Sequence, residues 1–139
     1  ISDMYTDDDN LKIAVHQQIN TIDSLEKLNE VKADLEDRFG KLDETIVVYM
    51  YEEWFEKLAK KLQIEKTITN KNSVELVFSK DITAKIDGEK LFVDAFKITP
   101  MFRFKMLHDQ LIIILDTIKL EKHYIYYLIE LLNQIKISD

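Results

Sequence analysis

Residues 58–78 read LAKKLQIEKTITNKNSVELVF, and the spacing of their apolar residues changes part-way through. Tyr51, Trp54, Phe55, Leu58 and Leu62 recur every three or four residues, the period of one helix face, whereas Val74, Leu76 and Phe78 alternate with Glu75, the period of a strand. Ile64 to Thr69 joins the second strand across the polar turn Asn70-Lys71-Asn72, which makes a hairpin. Lys66 shares the strand parity of Ile64 and Ile68, so this first strand suits a sheet edge. Helix therefore gives way to sheet near Gln63, and the chain reads as α+β.

Upstream of that switch the period stays helical. Asp43 can cap a third helix running to about Leu62, whose first part, Ile46 to Tyr51, is apolar all round and should be central. Glu53–Lys57 and Glu56–Lys60 stand at i,i+4 on its outer side. Asp23 with Glu26 three residues on resembles a capping box, and Leu25, Leu28, Val31 or Lys32, Leu35 and Phe39 follow until Gly40, a natural left-handed helix end. Leu11, Ala14, Val15, Gln18, Ile19 and Ile22 mark a first helix, with the acidic stretch Asp7–Asp9 at its start where the helix dipole favours negative charge.

Downstream, Leu91, Phe92, Ala95 and Phe96 form the apolar side of a short helix between Asp87 and Lys97, stopped by Pro100. Phe102, Phe104 and Met106 then alternate with Arg103 and Lys105, His108 to Gln110 make a turn, and Leu111 to Leu115 are an unbroken apolar strand. Glu121 to Ile135 closes the chain as a helix with an apolar face wide enough to cover a sheet. The expected fold class is α+β: three N-terminal helices, then hairpin-helix-hairpin-helix, with a small four-stranded, mainly antiparallel sheet covered by helices. With 139 residues and no Pro/Gly/Ser linker, one domain is expected over 1–139, and the start at Ile1 is expected to mark a piece of a longer protein without a signal peptide.

Charge and composition narrow the chemistry. The net charge is −7, and residues 1–44 carry all of it, with 12 Asp and Glu against 5 Lys and Arg. An acidic surface repels phosphate backbones, so little or no direct DNA binding is expected and a basic protein surface is the better partner. No cysteine is present, which excludes disulfides, thiolate nucleophiles and iron–sulfur clusters. His16, His108 and His123 stand in no metal-binding spacing, and Asp7, Asp8 and Asp9 lack the glycine and distal glutamate of a calcium loop. Glu52, Glu53 and Glu56 precede Lys57, Lys60 and Lys61 at pairing distance, so they read as a surface ion-pair network. With two glycines and no phosphate-binding loop, no nucleotide chemistry is expected; no apolar run is long enough for a membrane span. Lys57, Lys60, Lys61 and Lys66 form one local basic cluster, the candidate for an alternative, DNA-contacting role.

Two strings point further. Leu35-Glu36-Asp37-Arg38-Phe39-Gly40, followed without insertion by a helix ending Lys57-Leu58-Ala59-Lys60-Lys61-Leu62-Gln63-Ile64, resembles the C-terminal domain of the bacterial transcription-repair coupling factor family. Lys12 to Ile19 is similar to that family's first helix, and the later hairpin, Pro100 and closing helix come in its order. The chain departs from the pattern at Lys41, where the family usually has proline, at Gln63, where it usually has glycine, and at Gln17 and Gln18, where its first helix is more basic. The resemblance implies a cytoplasmic parent that is an ATP-driven double-stranded DNA translocase, displacing stalled RNA polymerase and recruiting nucleotide excision repair. It implies that ATP and Mg belong to the parent's motor, and that this domain has no cofactor, metal or catalytic residue. It also implies an autoinhibitory role, packing on the parent's N-terminal module and masking the surface for the damage-recognition subunit. The acidic residues expected to face that module are Asp7, Asp8, Glu30, Asp34 and Glu36.

Overall fold

The computed structural model describes residues 9–137, which leaves Asp7 and Asp8 outside the described residues. The chain divides into two compact units, residues 1–57 and 58–139. In the first, α1 (Asp9–Ile19) ends a turn earlier than its apolar spacing suggests, and Ile22, beyond its end, is nevertheless fully buried. Helix α2 (Leu25–Phe39) is capped by Ser24 rather than Asp23: the serine Oγ accepts from the Lys27 amide at 3.0 Å. Serine wins because its extended backbone aims the hydroxyl at the amide three residues on, and Glu26 then lies in the first turn, where its charge suits the dipole. Leu28, Val31 and Leu35 point inward, while Leu25 is exposed.

Gly40 ends α2 with φ +84° and ψ −171°, its amide donating to the Glu36 carbonyl at 2.8 Å. Both angles together lie in a region open essentially to glycine alone, more restrictive than the left-handed helical cap expected there. Nothing crowds the space a Cβ would take, so the requirement is conformational rather than steric. Arg38 sits over the Phe39 ring at 5.1 Å and 3.7 Å from Asp34. The third helix, α3 (Glu44–Lys61), follows at once; Ile46, Met50, Trp54 and Phe55 are buried on it.

The second unit is built on an antiparallel sheet in the order β1-β2-β4-β3. Its strands are β1 (Ile64–Thr69), β2 (Ser73–Phe78), β3 (Phe102–Leu107) and β4 (Gln110–Asp116). β4 is internal, as an unbroken apolar run requires, and β1 is an edge strand, as Lys66 suggested. The parity argument needs one correction. A register shift between Ile64 and Lys66 pairs Ile64 with Phe78 but Lys66 with Val77, so Lys66 and Ile68 lie on the face opposite Ile64. One extra residue in the strand flips every side chain beyond it. The β3–β4 turn places His108 at φ +52° and Asp109 at φ +64°, the double left-handed geometry of a two-residue hairpin loop.

Four helical elements complete this unit. The last turn of α3 leads into Gln63, which adopts φ +55° and donates its amide to the Lys60 carbonyl. Its backbone conformation is the one glycine takes most easily, and its side chain offsets the strain: Ser79 Oγ donates to Gln63 Oε1 at 2.7 Å and the Ser79 amide to the Gln63 carbonyl at 2.9 Å. Gln63→Ala, which keeps the strain and loses the bond, should destabilise the protein by about 1–2 kcal/mol, while Gln63→Gly should stay within about 0.5 kcal/mol of the parent sequence in urea denaturation. If Ala and Gly behave alike, the left-handed backbone at residue 63 holds no strain for glycine to relieve.

Ser79 also accepts from the Ile82 amide and so starts α4 (Lys80–Thr83), a short turn of helix that periodicity does not reveal because it spans only four residues. α5 (Gly88–Ile98) buries Leu91 and Ala95 of its apolar side but leaves Phe92 and Phe96 exposed. α6 (Tyr124–Leu132) starts three residues later than expected, capped by His123, whose Nδ1 accepts from the Ile125 amide at 3.1 Å. Helix α5 packs on α6 and touches β3, and an isolated bridge joins Ile86 to Ile137. Among the described residues the fold is α+β, with six helices and four antiparallel strands.

Candidate functional site

Of the acidic residues expected to meet a partner, Glu30, Asp34 and Glu36 lie on α2, in different environments. Glu30 is exposed and 3.8 Å from Lys27; Asp34 is exposed and accepts from Gln18 Nε2 at 2.7 Å, with the Arg38 guanidinium also nearby. Glu36 is half-buried and so presents less of its carboxylate to solvent than the other two. Asp34 is therefore partly a structural residue that joins α1 to α2, and Glu30 is the freer of the pair.

The four lysines differ in their surroundings. Lys57 is half-buried and its ammonium donates to the carbonyls of Asn20 and Ile22, the latter at 2.7 Å. A cation at these carbonyls, just past the end of α1, satisfies acceptors that the helix leaves open and complements its negative end. The expected Glu53–Lys57 pair is replaced by this arrangement. Lys60 and Lys61 are exposed in the last turn of α3, where they suit the dipole, and Lys66 is exposed on β1. Lys57→Met, which keeps the aliphatic stem, should cost about 1–2 kcal/mol in urea denaturation, whereas Lys60→Met should change stability by less than about 0.5 kcal/mol. Equal effects at the two positions would show that the Lys57 bonds contribute nothing.

One small polar group sits beside these residues. Tyr49 OH lies 3.1 Å from His16 Nδ1 and bonds Glu53, and burial, followed by the glutamate, pushes the phenol above its usual range. A hydroxyl that donates to Glu53 leaves its oxygen free to accept from the His16 ring. Such a group fixes α1 against α3 and presents no nucleophile. Among the described residues no three His, Cys, Asp or Glu side chains are placed to hold a metal ion, and no helix is long and apolar enough to cross a membrane.

Comparison with known proteins gives these residues a context. The sequence profile of the TRCF domain matches residues 1–89, more than half of the chain. The chain belongs to the TRCF domain family. Over 92 residues it is 27% identical to the transcription-repair-coupling factor of Bacillus subtilis (strain 168), covering 66% of this chain and 8% of that relative. The TRCF chain described here thus matches only a small part of that protein's length. Its fold is similar to the crystal structure of a C-terminal domain of a transcription-repair coupling factor, with a TM-score of 0.76, 19% identity, and coverage of 95% of this chain and 81% of that one. The helix-to-sheet order around Gln63 and the turn at Gly40 are therefore parts of a TRCF domain.

Sequence reasoning missed two features of the surface. Phe92 and Phe96 belong to the apolar side of α5 but stay exposed, because the apolar residues Leu91, Phe92, Val93, Ala95 and Phe96 span too wide an arc for one 11-residue helix to bury. That arc was the available signal. Nothing in the local sequence shows that Lys57 reaches the residues after α1, 35 positions earlier in the chain.

Proposed function

We propose that this TRCF domain is an autoinhibitory protein-interaction domain at the C-terminal end of a transcription-repair coupling factor. In this reading the parent is an ATP-dependent double-stranded DNA translocase that displaces stalled RNA polymerase and recruits nucleotide excision repair in the cytoplasm. The domain packs on the parent's N-terminal module and masks the surface that would bind the damage-recognition subunit. The observation that carries the reading is the match to the TRCF family and to the fold of a C-terminal domain of such a factor. The acidic surface around Glu30 and Asp34 supports it, because an interface of exposed charges is reversible and salt-sensitive, as a releasable clamp must be.

ATP and Mg belong, in this proposal, to the parent's motor, and the domain itself contributes no catalytic group. The test is equilibrium binding of the damage-recognition subunit to the full-length parent and to the parent lacking residues 1–139. An unchanged affinity would remove the autoinhibitory role. The alternative, a DNA-contacting module, now rests on Lys60, Lys61 and Lys66, since Lys57 is engaged by carbonyls. Micromolar duplex binding that is lost when those three become glutamate would favour it.

A further inference from the structure

Strand β3 ends the sheet, so one side of its backbone has no strand partner. Its two faces differ sharply. Phe102, Phe104 and Met106 share one, against Leu115, Ile113 and Leu111 of β4, and Arg103 and Lys105 share the other. On the apolar side Phe92 of α5 meets Phe104 at 5.8 Å between ring centroids, and Phe92, Phe96 and Met106 are 59%, 66% and 60% exposed. On the basic side Arg103 and Lys105 are exposed and form no ion pair among the described residues.

Lysine and arginine on an edge strand ordinarily protect it from pairing. A merely protected edge would not also have large exposed apolar side chains at it, Met106 on the strand itself and Phe92 of α5 against Phe104, since such groups mark interaction sites. A second copy of the chain fits poorly. Antiparallel pairing of β3 with itself would set Arg103 and Lys105 against each other or against themselves, and a shift by one residue would set the basic side against the apolar one. An acidic strand meets neither obstacle.

We propose that the free edge of β3 is a docking site for an extended, acidic, amphipathic segment that adds to the sheet as a fifth strand. Its main chain pairs with β3, its apolar side chains lie on Phe92, Phe96, Phe104 and Met106, and its alternate carboxylates pair with Arg103 and Lys105. This inference does not rest on the autoinhibitory reading, which concerns the acidic surface of α2.

The probe is a fluorescein-labelled ten-residue peptide alternating glutamate with valine and isoleucine, titrated with the 139-residue chain by anisotropy, beside a copy with lysine for glutamate. The glutamate peptide should bind at least about tenfold more tightly than the lysine peptide. In the double variant Arg103→Glu, Lys105→Glu that preference should reverse while the far-UV circular dichroism and the urea midpoint stay those of the folded protein. Phe96→Ala should weaken the glutamate peptide by about fivefold to tenfold. Amide exchange should slow along β3 when peptide is bound. Equal binding of both peptides, protection confined to α5 as for a docked helix, or dimerisation through β3 in sedimentation would each overturn the proposal.

Discussion

If this domain masks the repair-partner surface as proposed, removing residues 1–139 from the parent should raise its apparent affinity for the damage-recognition subunit by roughly 100-fold. Where a domain masks a binding surface, the partner binds only the open fraction, and its apparent affinity falls by that fraction. A clamp of about 3 kcal/mol leaves under about 1% of molecules open, which sets the size of the effect. The charge on α2 adds a second expectation. Glu30→Lys, combined with Asp7→Lys and Asp8→Lys, should recover part of the gain, because Glu30 is exposed and its removal breaks only a weak 3.8 Å contact with Lys27. Asp34→Lys is a poorer probe, since it also breaks the bond from Gln18 and could loosen α1. Raising salt should shrink the difference between full-length and truncated parent. Equal affinities for the two proteins at low and high salt would mean that this TRCF domain does not mask the surface, leaving it a structural role.

The architecture was legible where side-chain period decides the element. The alternation of Val74, Leu76 and Phe78 is seen in their burial on β2, and the unbroken run from Leu111 to Leu115 lies on an internal strand. It was illegible where a single residue changes the geometry. Nothing in the order Ile64-Glu65-Lys66 signals the shift that sends Ile64 and Lys66 to opposite faces, because the bulge answers to the register of β2 rather than to β1 itself. Gln63 shows the opposite case. Its departure from the glycine that the resemblance implies looks like a loss, yet the backbone here is left-handed and held by Ser79, a contact 16 residues away that local sequence cannot show. The surface was legible in charge and not in placement: the acidity of residues 1–44 is plain, but whether a given carboxylate or ammonium is free depends on tertiary neighbours. Asp34 and Lys57 are both engaged by residues of the α1 region, and so each is less available than its position on a helix suggests.

Trp54→Ala should destabilise the protein by about 3–5 kcal/mol, the usual cost of deleting a large buried aromatic side chain. The residue is 2% exposed on α3, next to Met50, which is fully buried, and its ring lies 6.2 Å from that of Tyr51. Its helical position relative to Tyr51, Leu58 and Leu62 placed it inward from sequence alone, and the burial agrees. The indole adds a feature that volume does not capture: Nε1 is buried with no hydrogen-bond partner among the described residues. A buried donor without a partner costs about 1–3 kcal/mol, so Trp54→Phe, which removes the N–H while keeping an aromatic ring, should cost far less than the lost volume implies, within about 1 kcal/mol of neutral. The two substitutions thus separate packing from polarity. As the only tryptophan, Trp54 reports its own state, with blue emission in the folded protein that shifts red as urea unfolds it. Both variants can be followed by far-UV circular dichroism instead. A near-neutral Trp54→Ala would mean that α3 is not packed as described, and a Trp54→Phe as damaging as the alanine would mean that Nε1 has a partner in solution, such as a buried water.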